Sequence, residues 1–380
     1  MATLDFTGLT ALPAQVWGGV RLVPLVRDRP ITDLRLHARL YGDDGESVVA
    51  LPASAAYTAY IPHGFVATWS DAPAATYGTH LTSPTPASTV RLHFHRRMAR
   101  REDRNRLRFL PLHLAMEGYL ALHFNGPTVL WDEWSQRAIR RGLSPRSEQA
   151  YAGAQVEGLA DALKLFEIHP GQCGVMLYVA DALAAAFVVP HPDDYRALHA
   201  TLLLDMYGEL IHHYALLSAP VPAFHARLNE TYVESLDDLR AAASRQSAEW
   251  TSFHSNTMAT ALLHTNYDIR RVHQAGRYTL SRFLPGFRPK EENHIGEVIT
   301  DQRGRTAYLK TFRLSESQIR RGHLLNTLAA HDWHLGAAAE SLGIAPAAFT
   351  QRLEAAGFAY LLREDVLARH RAESRRSTTP

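Results

Sequence analysis

Ser315–Gly357, SESQIRRGHLLNTLAAHDWHLGAAAESLGIAPAAFTQRLEAAG, decides how the chain is read. Its punctuation predicts three short helices. Ser315 and Gln318 form a capping-box pair, each side chain satisfying a backbone N–H at the start of the first helix. That helix carries Ile319, Leu324, Leu325 and Leu328 toward one side, and Trp333-His-Leu-Gly336 turns the chain. The second helix offers Leu335, Ala338, Ala339 and Leu342 at i, i+3, i+4 and i+7, which is one face. Its two alanines let another helix come close. Gly343 stands where a left-handed residue ends a helix, and Ile344 plugs the core behind it. Pro346 opens the third helix at a position where its missing N–H costs nothing. Phe349, Leu353 and Ala356 form the buried stripe of that helix, and Gly357 stops it.

Two helices joined through such a short glycine turn make a helix-turn-helix. The string resembles the Fis-type helix-turn-helix that ends many bacterial regulators. The residues carrying the likeness are Leu328–Trp333, Ala338, Ala339, Leu342-Gly343-Ile344, Leu353 and Gly357. The resemblance implies double-stranded DNA as partner and a homodimer as working unit. The chain departs from the pattern where the third helix normally carries Ser, Arg or Thr: here stand Ala345, Ala347 and Ala348, and His334 replaces the usual Asn. Thr350, Gln351 and Arg352, with Glu354 at the margin, are the positions left to touch DNA. Gln351 can pair with an adenine edge, and Arg352 with guanine or a phosphate. From Arg313 to Arg376 there are nine arginines against seven carboxylates. Few phosphate contacts follow from that balance. A protein-docking or purely structural trihelix is the competing reading.

The first ninety-odd residues predict strands. Val16–Val26 is apolar, with Gly18-Gly19 marking a bulge or tight bend. Leu34–Tyr41 alternates with period two, a strand with one buried face. Tyr57–Ile61, Phe65–Trp69 and Val90–His95 have similar character, and the Pro- and Ser-rich stretch 82–88 reads as a solvated loop. Helices are expected from Pro127 to Arg141, from Ser147 to Phe166 and from His191 to Leu217, with two strands joined at Asp181 between Gly174 and Val189. In the last of these helices Pro192 suits the first turn and Asp193 and Asp194 face the positive helix end. Ser235–Trp250 predicts a further helix, and Gly296–Phe312 a hairpin around Asp301-Gln-Arg-Gly304. The fold class is therefore α+β: a mixed sheet-and-helix domain over 1–220, a mixed bridging segment over 221–314 that begins at the Pro220-Val221-Pro222 break, and a trihelical module with a polar tail over 315–380.

Composition excludes several classes. With 380 residues, 46% hydrophobic and 21% charged, the chain can bury a large core and is neither disordered nor fibrous. Its net charge of +2 creates no global field. Lysine occurs only at 164, 290 and 310, so almost all positive charge is arginine, which meets anions with planar bidentate forks. The single cysteine, Cys173, excludes an internal disulfide and reads as a buried, inert thiol. No signal peptide and no apolar run long enough for a membrane span is evident, so a cytoplasmic location without membrane contact is expected.

Over its whole length the chain resembles the bacterial ARPP family, named for association with ADP-ribosylglycohydrolases and rhodanese-phosphatases. Gln15–Leu25, Gln172–Ala180 with the helix from Asp193, and Thr311–Leu314, Gln318–Arg321, Trp333 and Gly357–Leu362 carry that likeness. It implies a link to nucleotide or ADP-ribose processing and brings no catalytic residue with it.

Arg91–Arg108 holds eight arginines against Glu102 and Asp103. Within it, Arg96, Arg97, Arg100, Arg101 and Arg104 form the candidate phosphate-binding group, which Arg137, Arg140 and Arg141 can extend. The same density also suits a solvated loop, and no aromatic residue from Arg96 to Arg106 offers a base a stacking platform. His93 and His95 share one strand face, with His113, His123 or an acidic residue as a third ligand. Twenty-one histidines make such spacing cheap, and no metal site is assigned. His212-His213 cannot easily face one ion. Trp131 and Trp134 read as core or interface, as do Phe358 and Tyr360. His191, Asp193 and Asp194 are explained by helix capping. No phosphate loop, zincin or nucleophile-elbow motif occurs, so neither an enzyme nor a cofactor is assigned. Three functions stand: a non-enzymatic regulator or adaptor whose helical end docks on DNA, an accessory phosphate-binding component of an ADP-ribose or nucleotide-processing system, or a protein–protein module in which neither surface meets nucleic acid.

Overall fold

The computed structural model describes residues 2–36, 168–206 and 218–377 as continuous chain, with the pieces 55–59, 66–68, 74–76, 79–81, 89–90, 107–109, 120, 123–124, 166 and 214–215 between them. The strands near the amino terminus are β1 (Leu9–Ala11), β2 (Gln15–Trp17), β3 (Val20–Arg27) and β4 (Leu34–Leu36). Short strands follow: β5 (Ala55–Ala59), β6 (Val66–Thr68), β7 (Ala74–Thr76), β8 (Thr79–Leu81), β9 (Thr89–Val90) and β10 (Leu107–Phe109). Then come β11 (Gln172–Val179), β12 (Ala182–Val188), helix α1 (Pro192–Met206), α2 (Leu236–Phe253) and α3 (Thr260–Leu263). Four strands, β13 (Asp268–Ala275), β14 (Tyr278–Leu284), β15 (His294–Thr300) and β16 (Thr306–Arg313), precede four helices, α4 (Glu316–Ala330), α5 (Leu335–Ser341), α6 (Pro346–Ala355) and α7 (Glu364–Ser377).

The centre is a nine-stranded antiparallel sheet in the order β1-β3-β11-β12-β16-β15-β14-β13, with β2 also on β3. Both of its faces are buried, which is why QCGVMLYV of β11 runs apolar instead of alternating. One face, with Leu22, Leu177, Phe187 and Tyr308, is covered by Tyr195 and Leu198 of α1 and continues into Ile319, Leu328, Phe349 and Phe358 of the helical end. The opposite face, with Val23, Met176, Val188 and Val298, is covered by Trp250 of α2, Leu262 of α3 and Leu4. Each such side chain contributes about 1.5–3 kcal/mol by leaving water. Mixed sheet and helix in one body bears out the α+β class.

Several expectations change in detail. Val16–Val26 is two strands, because Gly18-Gly19 folds β2 back on β3 with Trp17 opposite Val20. Gly18 has φ +55, and a Cβ there would sit 1.9 Å from the Ala215 carbonyl oxygen, so only glycine fits. Of Leu34–Tyr41, residues 34–36 form β4 and the rest lies outside the described residues. So do the loop expected over 82–88 and the helices expected over 127–141 and, Phe166 apart, 147–166. The stretch expected to bridge, 221–314, instead supplies β13–β16 to the main sheet; Val188 of β12 pairs with Leu309 of β16. The expected hairpin is there as β15 and β16, His294 opposite Arg313 and Thr300 opposite Thr306. The expected polar tail from Arg371 is helical through Ser377 as the end of α7.

The helical end follows its punctuation closely. Ser315 caps α4 in a complete capping box with Gln318. Gly343 and Gly357 are left-handed, with φ +64 and +87. The turn before α5 is carried by Asp332 and Trp333, with φ +51 and +62, while Gly336 lies inside the helix.

Candidate functional site

On α6, Ala348, Gln351, Arg352 and Ala355 recur at helical spacing and form the outward stripe; Gln351, Arg352 and Ala355 are exposed. Phe349 and Leu353 turn into the core. Thr350, expected among the DNA contacts, is only 1% exposed. Its hydroxyl donates to the Pro346 carbonyl at 2.9 Å, the back-bond that a buried helical threonine makes. Thr350 is therefore a packing residue.

The surroundings hold this helix in place. His334, where the Fis-type pattern has Asn, caps α5: its Nδ1 accepts the Ala337 N–H at 3.1 Å. Imidazole thus satisfies the same backbone donor that an amide oxygen would. A shallow, open groove between α5 and α6 is lined by His334, Ala337, Glu340, Gly343, Ile344 and Pro346. Helix α7 lies along the flank of α6, where Arg371 donates to the Glu354 carboxylate and holds it below the usual carboxylate range. The acidic residue at the margin of the stripe is thereby neutralised. Arg321 of α4 lies over the Phe358 ring, 5.3 Å from its centre. Gly322 of α4 sits against Phe287, so closely that a Cβ would fall 2.1 Å from the ring. The helical end is seated on the sheet and shares its core.

The sheet contains chemistry that sequence reasoning does not reach. Arg282, Glu297 and Lys310 face one another across β14, β15 and β16, as register partners. Arg282 Nε lies 3.2 Å from Glu297 Oε1 and Lys310 Nζ 3.8 Å from Oε2. Glu297 and Lys310 are 0% and 1% exposed. Burial pulls Lys310 down to about 8 against the attraction of Glu297. Burial pushes Glu297 up, but Lys310, Arg282 and the Thr79 hydroxyl outweigh it and leave the carboxyl below its ordinary value. One signal points to this group: Lys310 shares strand parity with Tyr308 and Phe312, so it points inward with them.

On the opposite face, the Tyr178 hydroxyl and His254 Nε2 are 2.6 Å apart. His254 opens a π-helical turn, His254–Met258, at the end of α2. Burial alone lowers its pKa to about 4, and burial raises that of Tyr178.

Arg96, Arg97, Arg100, Arg101 and Arg104 lie outside the described residues, as do Arg137, Arg140, Arg141, His93, His95, His113, His212, His213, Trp131 and Trp134. His123 is buried, its ring nitrogen 3.6 Å from Asp268, and burial with Arg270 and Arg282 nearby holds its pKa near 3. Among the described residues no group of three or more His, Cys, Asp or Glu side chains could hold a metal ion. Asp194 does more than face a helix end: Arg35 donates to its Oδ1 and the Leu36 N–H to its Oδ2, fastening α1 to β4. Asp193 accepts from Arg196. Cys173 is buried, and desolvation pushes its thiol up to about 11 despite Arg27. No described helix is long and apolar enough to cross a membrane.

Compared with known proteins, the chain matches the family model described as ARPP-2 over residues 4–276. The match thus stops at the turn between β13 and β14, within the main sheet, and α4–α7 lie beyond it. No curated protein and no solved structure matches the chain at a significant level.

Proposed function

Since the chain belongs to the ARPP-2 family through residues 4–276, and carries beyond them a helical end that the family model does not cover, we propose that it is a two-part regulator. In this reading the sheet body senses a ligand or partner, and α4–α6 act as a helix-turn-helix that docks α6 on double-stranded DNA. One observation carries it: Gln351 and Arg352, the polar pair of the outward stripe, are exposed, and α7 flanks that stripe without covering it. The flanking alanines leave room for close approach to a groove wall. Gln351 reads an adenine edge, and Arg352 a guanine or phosphate. Because the helical end shares its core with the sheet, the full chain is the object to test. Retention of duplex from the chain's own upstream region, over unrelated duplex at equal salt, supports the reading; equal retention of both, or none, overturns it.

A second reading attaches to the family-matched body. The ARPP resemblance of the sequence implies a link to ADP-ribose and nucleotide processing, and Arg96, Arg97, Arg100, Arg101 and Arg104 would supply the phosphate contacts. Calorimetry with ADP-ribose would then detect binding that Arg97→Ala with Arg101→Ala removes. Silence across a nucleotide panel rejects it.

A further inference from the structure

Helix α6, which carries the outward stripe, holds two charged residues, Arg352 and Glu354. They cancel, so by its own side chains the helix offers a polyanion no net attraction. Glu354 follows Gln351 by three residues and therefore stands beside it on the helix surface. One helical turn is about 5.4 Å, well inside the ~8 Å over which physiological salt screens a charge. A bare carboxylate there would oppose any phosphate that Gln351 or Arg352 approached.

Arg371 of α7 answers that carboxylate. Its Nε donates to Glu354 Oε2 at 3.2 Å and its Nη2 donates to Oε1, so the guanidinium meets both oxygens as a fork. The contact holds the Glu354 carboxyl below its ordinary value and the Arg371 guanidinium above. The seating of α7 on α6 makes this possible. Leu367, four residues before Arg371 and so on the same helical face, is half-buried, whereas Ala368 and Arg369 are exposed. Both partners stay partly in water, the Arg371 side chain 50% and that of Glu354 35% exposed. An ion pair so exposed adds little to folding stability. Its larger effect is on the field around α6: with Glu354 answered, the positive charge of Arg352 dominates the stripe.

We propose that Arg371 is a positioning residue for DNA docking, which acts through Glu354 by screening the carboxylate of α6 and so makes α7 a working part of the helix-turn-helix. The proposal rests on the reading of α6 as the helix that docks on duplex DNA.

Binding of the full chain to duplex from its own upstream region, at low and at raised salt, tests it. Arg371→Ala should weaken binding by roughly fivefold at low salt, the effect of one unit charge a few ångströms away in water, and by less as salt rises. Glu354→Gln should bind at least as well as the native chain. Arg371→Ala with Glu354→Gln should return to native binding, which a direct contact from Arg371 to phosphate would not allow. Arg371→Lys, which keeps the charge, should lose little. Circular dichroism shows whether each variant keeps its fold. A native chain that binds no duplex rejects the DNA reading and this proposal with it. A native chain that binds, with Arg371→Ala binding equally well or the double variant no better than Arg371→Ala, overturns the proposal alone. Loss of binding in Glu354→Gln does the same, because the carboxylate itself would then be in use.

Discussion

Lys310 Nζ stands 3.8 Å from Glu297 Oε2 across the register pair that joins β16 to β15, and both side chains are closed off from solvent. Arg282 reaches the other carboxylate oxygen, so one buried anion answers two cations from neighbouring strands. Breaking such a pair costs more than forming it gains, because the remaining charge stays desolvated. Glu297→Gln should therefore destabilise the protein by about 3–5 kcal/mol in urea unfolding. Adding Lys310→Met should recover part of that loss. Strictly additive losses would show that the two groups do not act on each other.

Acid should weaken the protein through His254. Its folded pKa is near 4 and its ordinary value 6.5, so the folded state prefers the neutral ring. The contribution is complete above pH 6.5 and is lost as pH falls toward 4. One such group adds a slope of about 1.4 kcal/mol per pH unit within that window. His254→Gln should flatten the acid limb of the stability curve by one proton's worth. An unchanged slope would mean that the Tyr178–His254 contact opens before the ring titrates.

Gly322 and Phe287 join the helical end to the sheet. Gly322→Ala places a methyl group where the ring lies and should cost about 1–3 kcal/mol, read as a lowered Tm. Phe287→Leu should relieve part of the clash when combined with it. A Gly322→Ala protein as stable as the native chain would show that α4 can slide on its seat.

What the residues announce in advance is local. Ser315 with Gln318, Gly343, Pro346 and Gly357 each act within one helical turn, and their placements hold in the structure. The sheet order is out of reach, because Val188 and Leu309 meet from distant parts of the chain and nothing near either names the other. Helix α7 hides in the sequence because its arginines and glutamates give no apolar stripe; its acids Glu364 and Asp365 at the first turn are the available signal. Thr350 departs from its expected exposure for a geometric reason. It follows Phe349 and precedes Leu353 by three, so the helix turns it to the buried side. Lys310 lies inside the expected hairpin, and the alternation of its strand points it inward, but its partners Glu297 and Arg282 come only with the register of β14 and β15.

If α6 presents Gln351 and Arg352 to DNA, selection of duplexes from a random pool by the full chain will reveal it. One sequence class should be recovered, with Gln351→Ala and Arg352→Ala each weakening its binding by about 1–3 kcal/mol and Thr350→Val leaving it unchanged. A pool that emerges unenriched, or an enriched duplex bound equally well by Gln351→Ala and Arg352→Ala, contradicts it.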